Sequence, residues 1–219
     1  MVLTLFKLNA SPAARSVLMT IEALQIPDVE FIDVNLLAGD HLTDEYLKLN
    51  PQHTIPVLKD DDFVIWDSHA ICGYLVGAYA EDDSLYPSDP KKRAMVDQRL
   101  HLDSGVLFPA LREANGPVIF GGEKAFRSSA LEKIASAYEL TEKILTSSGS
   151  FWLAGDTITL ADICCISTIT SMDIVLPIEK DKFANLSAWV QRCAQQQFYK
   201  NANEPGLQQL RALLQSKLE

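Results

Sequence analysis

Three short stretches of the sequence gather side chains able to handle a small charged ligand. Ser11 and Pro12 follow the β-rich segment Val2 to Leu8 and precede a run with apolar residues at Val17, Leu18, Ile21 and Leu24, the spacing of a helix face. Serine followed by proline at a helix start is the pattern of a helix cap. The same position has a second use. Unpaired N–H groups and the positive end of the helix dipole favour an anion there, and a hydroxyl donor would favour a thiolate or carboxylate over its neutral acid. With no His-Asp pair nearby, Ser11 is placed to donate a hydrogen bond rather than to attack. The second stretch is Gln52-His53-Thr54-Ile55-Pro56-Val57. A proline entering a strand removes a ladder donor. A cis peptide before it would turn the backbone groups of Ile55 outward to pair with an extended peptide, whereas a simple edge strand would use the proline against aggregation. Both readings stand on the residues alone. The third stretch, Asp67-Ser68-His69-Ala70, starts a helix, and a cap alone would explain its acid and hydroxyl. Combined with the second stretch it offers a carboxylate for an ammonium beside donors for a carboxylate, the pairing that recognises the amino-acid end of a ligand.

His41, His53 and His69 invite a metal hypothesis, but their spacing matches no common ligand pattern, and no metal is expected. His41 and His53, in polar loops, suit contact with an anionic ligand; His69 lies beside an apolar helix face and reads as structural. Cys72, Cys164, Cys165 and Cys193 show no CxxC spacing, and the first three sit in apolar surroundings as reduced core thiols. The net charge of −10, from 29 acids against 19 bases, opposes nucleic-acid binding. Residues 1–85 hold 14 acids and 4 bases, and residues 86–219 hold 15 of each, a shift that suggests two domains meeting near residue 85. No signal peptide or membrane span is legible, so a soluble cytoplasmic protein without membrane partners is the expectation.

The elements that must position these residues divide in the same way. Val2 to Leu8, a helix from Ala13 to Leu24, Val29 to Val34, a short helix over Leu42 to Leu49, Ile55 to Leu58, Phe63 to Trp66 and a helix from Asp67-Ser68 to Tyr79 give the order β-α-β-α-β-β-α, which suits a mixed sheet with helices packed on it. From Ser88 the pattern is helical. Five helices are expected: Ala94 to Arg112, Ala125 to Leu145, one beginning at Thr159-Leu160-Ala161-Asp162, Ala184 to Gln197, and Pro205 to Leu218. Thr159 with Asp162 has the form of a capping box.

Taken together, the residues resemble the cytosolic glutathione transferases, and within them the insect epsilon class, with the delta class second. The resemblance spans nearly the whole chain. It rests on Ser11-Pro12, on the segments 34–41 and 50–58, on Asp67-Ser68-His69-Ala70-Ile71, on 83–87 and 104–108, and on Thr159 to Asp162. It implies an α+β thioredoxin-like N-terminal domain (residues 1–82) that binds glutathione, an all-helical C-terminal domain (88–219) contributing a hydrophobic co-substrate site, and a homodimer. It further implies Ser11 toward the glutathione thiol, His41 and His53 toward the glycyl end, the Ile55 backbone toward the cysteinyl unit, and Asp67 with Ser68 toward the γ-glutamyl end. Gln52, Thr54, Pro56 and His69, from the same motifs, and Arg112, from the first long helix, join the glutathione set. The co-substrate would lie against Pro12, Leu36, Phe108, Leu111, Phe120 and Leu207. The implied activity is conjugation of glutathione, as co-substrate, to hydrophobic electrophiles in detoxification, with peroxidase or dehydrochlorinase side activity. A non-catalytic carrier of hydrophobic hormones or toxins is the alternative. Asp67 stands where the class often has glutamate, and Ala13-Ala14 replaces a more usual proline and small residue.

Overall fold

The structure, a computed structural model, describes residues 3–219; Val2, placed above in the first strand, lies outside them. Four strands, β1 (Leu3–Lys7), β2 (Val29–Asp33), β3 (Val57–Asp60) and β4 (Phe63–Trp66), form one sheet in the order β2-β1-β3-β4. β1 runs parallel to β2, with Leu5 opposite Phe31, and antiparallel to β3, with Leu5 opposite Leu58; β3 and β4 form a hairpin across Asp61-Asp62. A parallel neighbour needs a crossover, which α1 (Pro12–Leu24) supplies. Two further helices, α2 (Asp44–Leu49) and α3 (Ser68–Tyr79), complete this mixed layer. The third strand begins two residues later than Ile55 because Pro56, which follows a cis peptide bond, has no N–H to give to a ladder.

The helical layer contains α4 (Pro90–Leu102), α5 (Phe108–Ile119), α6 (Ser128–Ser148), α7 (Leu160–Val175), α8 (Ala184–Ala194) and α9 (Glu204–Leu218). The single helix expected from Ala94 to Arg112 is therefore two. Between them Asp103–Leu107 forms a π turn, closed by the Phe108 N–H bonding to the Asp103 carbonyl. The cause is Pro109, which cannot donate to the Gly105 carbonyl one turn back, so the regular ladder loses a bond at that point.

α7 is the centre of the molecule: every residue from Leu160 to Met172 is buried. α1 and α3 of the sheet layer pack on it across the interface between the layers. Arg15 of α1 is buried there, with its Nη2 donating to the Ser167 carbonyl at 3.1 Å and to the Ser171 hydroxyl. The connecting segment is tied down as well. Leu160 N–H donates to the Leu85 carbonyl at 2.8 Å, and the Arg93 guanidinium stacks over the Tyr86 ring at 3.5 Å.

Candidate functional site

The site begins at the end of β1, where the chain turns into α1. Ser11 is the N-cap of that helix, with extended backbone (φ −73°, ψ 124°) and Pro12 following it at the first helical position. Its Oγ accepts from the Ala14 N–H at 3.4 Å, a long cap bond, and in that arrangement the O–H remains as a donor. Two chambers open beside Ser11, of about 610 and 750 Å³, and Ser11 lines both.

The first chamber is walled by the loop before β3 and by the start of α3. Asn50, fully buried, holds that loop in shape. Its amide donates to the Thr54 carbonyl and hydroxyl, each at 2.9 Å, while its Oδ1 accepts from the Gln52 N–H at 2.9 Å. The Tyr46 hydroxyl adds a 2.7 Å bond to the same Thr54 carbonyl, and burial raises its pKa. Gln52, His53, Thr54 and Ile55 are thereby presented along the chamber, His53 with φ 46°. Pro56 does not line it: the ring is buried behind the wall, and its contribution is the turn before β3 rather than a contact. His41 arrives from the 3-10 turn Asp40–Leu42, with its ring 6.1 Å from that of His53 and its Nδ1 buried without a protein partner.

Asp67, Ser68 and His69 close the opposite wall. Asp67 caps α3, its Oδ1 accepting from the N–H groups of His69 (3.0 Å) and Ala70 (3.1 Å). It does so at φ 73°, ψ 121°, outside the regions in which a residue with a Cβ is comfortable, and such strain persists where the surroundings dictate it. The cap and ligand readings of Asp67 are thus not exclusive. His69 Nε2 meets Asp103 Oδ2 at 2.9 Å. Burial works against the imidazolium, but the hydrogen bond and charge of Asp103 outweigh it, and the His69 pKa is raised. His69 thus has the structural partner expected of it and also lines the chamber. Asp103 and Thr168 also line this chamber and were not singled out in the sequence; Ser104, which entered only as part of the segment 104–108, lines it too. An acid interrupting the helical pattern beside Gly105 and Pro109 is the one local sign of Asp103.

The second chamber lies between the β1–α1 turn, α5 and α9. Pro12, Leu36, Phe108, Leu111 and Phe120 line it, and Arg112, Leu36, Phe108 and Phe120 line both chambers. Leu207 lines neither. It is half-buried at the first turn of α9, and the helix reaches the chamber through Gln209, Leu210 and Leu213 instead. Gly206 explains the approach: a Cβ there would lie 2.1 Å from the Asn9 carbonyl oxygen, so α9 rests directly on the β1–α1 turn.

The arrangement is a polar chamber with donors for carboxylates, an apolar chamber, and one hydroxyl at a helix N-terminus where they join. All four cysteines are free and buried, so none is at hand as a nucleophile. Among the described residues, no group of three or more His, Cys, Asp or Glu is placed to hold a metal ion.

Comparison with known proteins agrees with this geometry. Residues 5–83 match the family model described as glutathione S-transferase, N-terminal domain, and residues 95–197 the one described as glutathione S-transferase, C-terminal domain. Glutathione S-transferase 1 of Manduca sexta is 60% identical over 219 residues, covering 100% of both chains. An epsilon-class glutathione S-transferase structure from the housefly, Musca domestica, superposes with a TM-score of 0.94 at 42% identity over 98% of each chain. A glutathione transferase homologue from Drosophila mojavensis, solved with bound glutathione, gives 0.93 at 40% identity over 98% of this chain and 97% of that one. A relative this similar along its whole length, together with two family models falling in turn on the sheet layer and the helical layer, shows that the chain belongs to the glutathione S-transferase family.

Proposed function

We propose that this glutathione transferase conjugates glutathione to hydrophobic electrophiles as a detoxification enzyme, with Ser11 donating a hydrogen bond to the glutathione sulfur. The observation that carries the reading is the position of Ser11 at the α1 N-terminus, on the wall common to the polar and the apolar chamber. A thiol of pKa about 8.5 is mostly protonated at neutral pH, and lowering it by roughly two units takes about 3 kcal/mol of preferential thiolate stabilisation. A charge-assisted hydrogen bond contributes about 1.5–3 kcal/mol and a helix N-terminus about 0.3–1 kcal/mol. Ser11 and the end of α1 are together sufficient.

In this reading His41 and His53 face the glycyl carboxylate, the Ile55 backbone pairs with the cysteinyl unit, and Asp67 with Ser68 takes the γ-glutamyl end. The thiolate then attacks an electrophile held against Leu36, Phe108, Leu111 and Phe120; a C–S bond forms, and the electron pair leaves with a departing group or is protonated by water. The glutathione bound in the Drosophila mojavensis homologue supports the assignment of the polar chamber. A hydroxyl donor at the junction favours turnover over a non-catalytic carrier. A homodimer belongs to this reading through the family, and a cytoplasmic location is supported by four free cysteines.

Ser11→Ala tests the central step. Conjugation of a chromogenic aryl halide falls about ten- to a hundredfold, as expected for loss of one charge-assisted hydrogen bond. The ultraviolet thiolate absorbance of bound glutathione titrates at higher pH, and glutathione affinity changes little. Unchanged turnover and an unchanged thiolate titration would remove Ser11 from the mechanism.

A further inference from the structure

Arg15 stands on the first turn of α1 and is fully buried. Its Nη2 donates to the Ser167 carbonyl at 3.1 Å and to the Ser171 hydroxyl, while Nε and Nη1 are buried with no protein partner. Among the described residues no carboxylate pairs with it. α7 offers it a carbonyl and a hydroxyl, and α9 presents Gly206. The titratable group acting on it is Tyr199, from the π turn Tyr199–Asn203, and burial raises the pKa of that phenol, which is therefore neutral at physiological pH. Burial pushes the guanidinium down to about 9, still cationic at neutral pH. A lone buried charge is costly, and an apolar side chain of similar volume often packs as well or better. The charge also lies directly behind the wall that carries Ser11. The Arg15 N–H donates to the Ser11 carbonyl at 3.0 Å. A Cβ on Gly206 would lie 2.1 Å from the Asn9 carbonyl oxygen and 2.8 Å from Arg15 Cδ, so α9, the arginine stem and the β1–α1 turn meet at one point. At its far end the guanidinium holds Ser167, the neighbour of Thr168, and Thr168 and Ala13 both line the polar chamber.

The structure assigns Arg15 an electrostatic part in the reaction: its buried, unpaired charge acts through the wall beneath Ser11, without touching the ligand, and shifts the bound glutathione thiol toward its ionised form. The inference rests on the conjugation proposed above. No opening from the arginine to the chamber is needed, because a Coulomb field crosses buried protein with little screening by salt. Set one helical turn below the cap, a guanidinium lies on the order of 10 Å from a group bound there. At that distance, with an effective dielectric of about 20, a unit charge moves an ionisation by about one pH unit. Ser11 and the helix end reach a lowering of roughly two units in the upper part of their ranges, and Arg15 adds to them. The proton that leaves sulfur passes to solvent, and no other bond changes.

Two neutral replacements, Arg15→Met and Arg15→Gln, and the charged Arg15→Lys are compared with the wild type by the ultraviolet thiolate absorbance of saturating glutathione as the pH is raised. The midpoint is the quantity read, since loss of folded protein lowers the amplitude without moving it. The titratable side chains lining the polar chamber, His41, His53, Asp67, His69, Asp103 and Arg112, are the same in all four proteins. The neutral variants are expected to titrate about one pH unit higher, and the pH profile of kcat to move with them, while Arg15→Lys stays near the wild type. A role confined to packing would not move the midpoint. Neutral variants that titrate as the wild type does, or a lysine variant that rises as far as they do, overturn the assignment of Arg15; Ser11→Ala, titrating higher in the same series, then leaves conjugation standing. Unfolding of both neutral variants beside an intact Arg15→Lys would assign the charge to the fold and overturn the inference as well. A wild type whose bound glutathione titrates like free glutathione overturns both readings.

Discussion

His69 shows how one side chain can serve the ligand site and the fold at once. It joins α3 to the π turn before α5 through the 2.9 Å contact with Asp103, at 15% and 7% side-chain exposure, and Asp103 raises its pKa against the opposing effect of burial, with smaller help from Cys72 and Asp67. A histidine whose pKa is higher folded than unfolded contributes stability that is fully present below about pH 6.5 and is lost as the pH rises through the folded value. His69→Gln keeps a hydrogen-bonding group but cannot titrate. The melting-temperature advantage of wild type over His69→Gln is therefore largest near pH 6 and shrinks toward pH 9; an advantage independent of pH would show that the pair contributes only as neutral groups. Asp103 was not legible from the sequence because its partner is 34 residues away and only the fold brings them together. The caps at Ser11 and Asp67 could be read because each depends on its immediate neighbours. Asn50 enters the sequence reading only as the first residue of the segment 50–58, and its buried amide, which shapes the loop, has no local signature. The exchange of Leu207 for Leu210 and Leu213 has a related cause: periodicity defines a helix face but not which part of that face meets a cavity.

Whole elements followed their sequence patterns where local chemistry and packing agree. The start of α7 is the strongest case. Asp162, at its third position, accepts from the Thr159 N–H at 2.9 Å as the capping box requires, and also from the Leu153 N–H at 2.9 Å and the Trp189 indole at 2.8 Å. Burial raises its pKa while these donors pull the other way. One carboxylate thus joins the cap of α7, the loop before it and α8. Asp162→Ala strands three buried donors at about 1–3 kcal/mol each. With relaxation, a loss of about 3 kcal/mol or more is expected, which for a chain of this size lowers Tm by roughly 10 °C. Asp162→Asn, which keeps an acceptor, should fall between the two; a wild-type melting curve for the alanine variant would contradict this account. The sequence showed the cap but not its reach, since Leu153 and Trp189 lie outside any local motif. It showed helical spacing across 94–112 but not the π turn within it, because apolar periodicity survives the insertion of one extra residue into a turn while the backbone ladder does not.

At the scale of the molecule, the charge imbalance constrains how an anionic tripeptide is captured. The whole net charge of −10 falls on residues 1–85, the part that walls most of the polar chamber. Of the four cations in that segment, Arg15 is buried at the interface between the layers and Lys7 is paired with Asp33 at 2.6 Å, which leaves Lys48 and Lys59 exposed. Long-range attraction therefore cannot draw glutathione in. In the function proposed above its carboxylates are held by short-range donors: the N-termini of α1 and α3, the two histidines, and Arg112, which lines both chambers from the charge-balanced helical layer. Salt acts unequally on these two contributions. The diffuse repulsion of the acidic layer operates over tens of ångströms and is screened first, at a Debye length of about 10 Å in 0.1 M salt, whereas hydrogen bonds inside the chamber lie within that length. The KM for glutathione, measured at saturating electrophile, should fall modestly between about 10 and 100 mM ionic strength and level off or rise only beyond. A KM that climbs steadily from the lowest ionic strength would mean that the local cations dominate even at long range. Arg112→Gln distinguishes the two contributions further: it should raise KM at every ionic strength and deepen the initial fall, because it removes local attraction and leaves the acidic field intact.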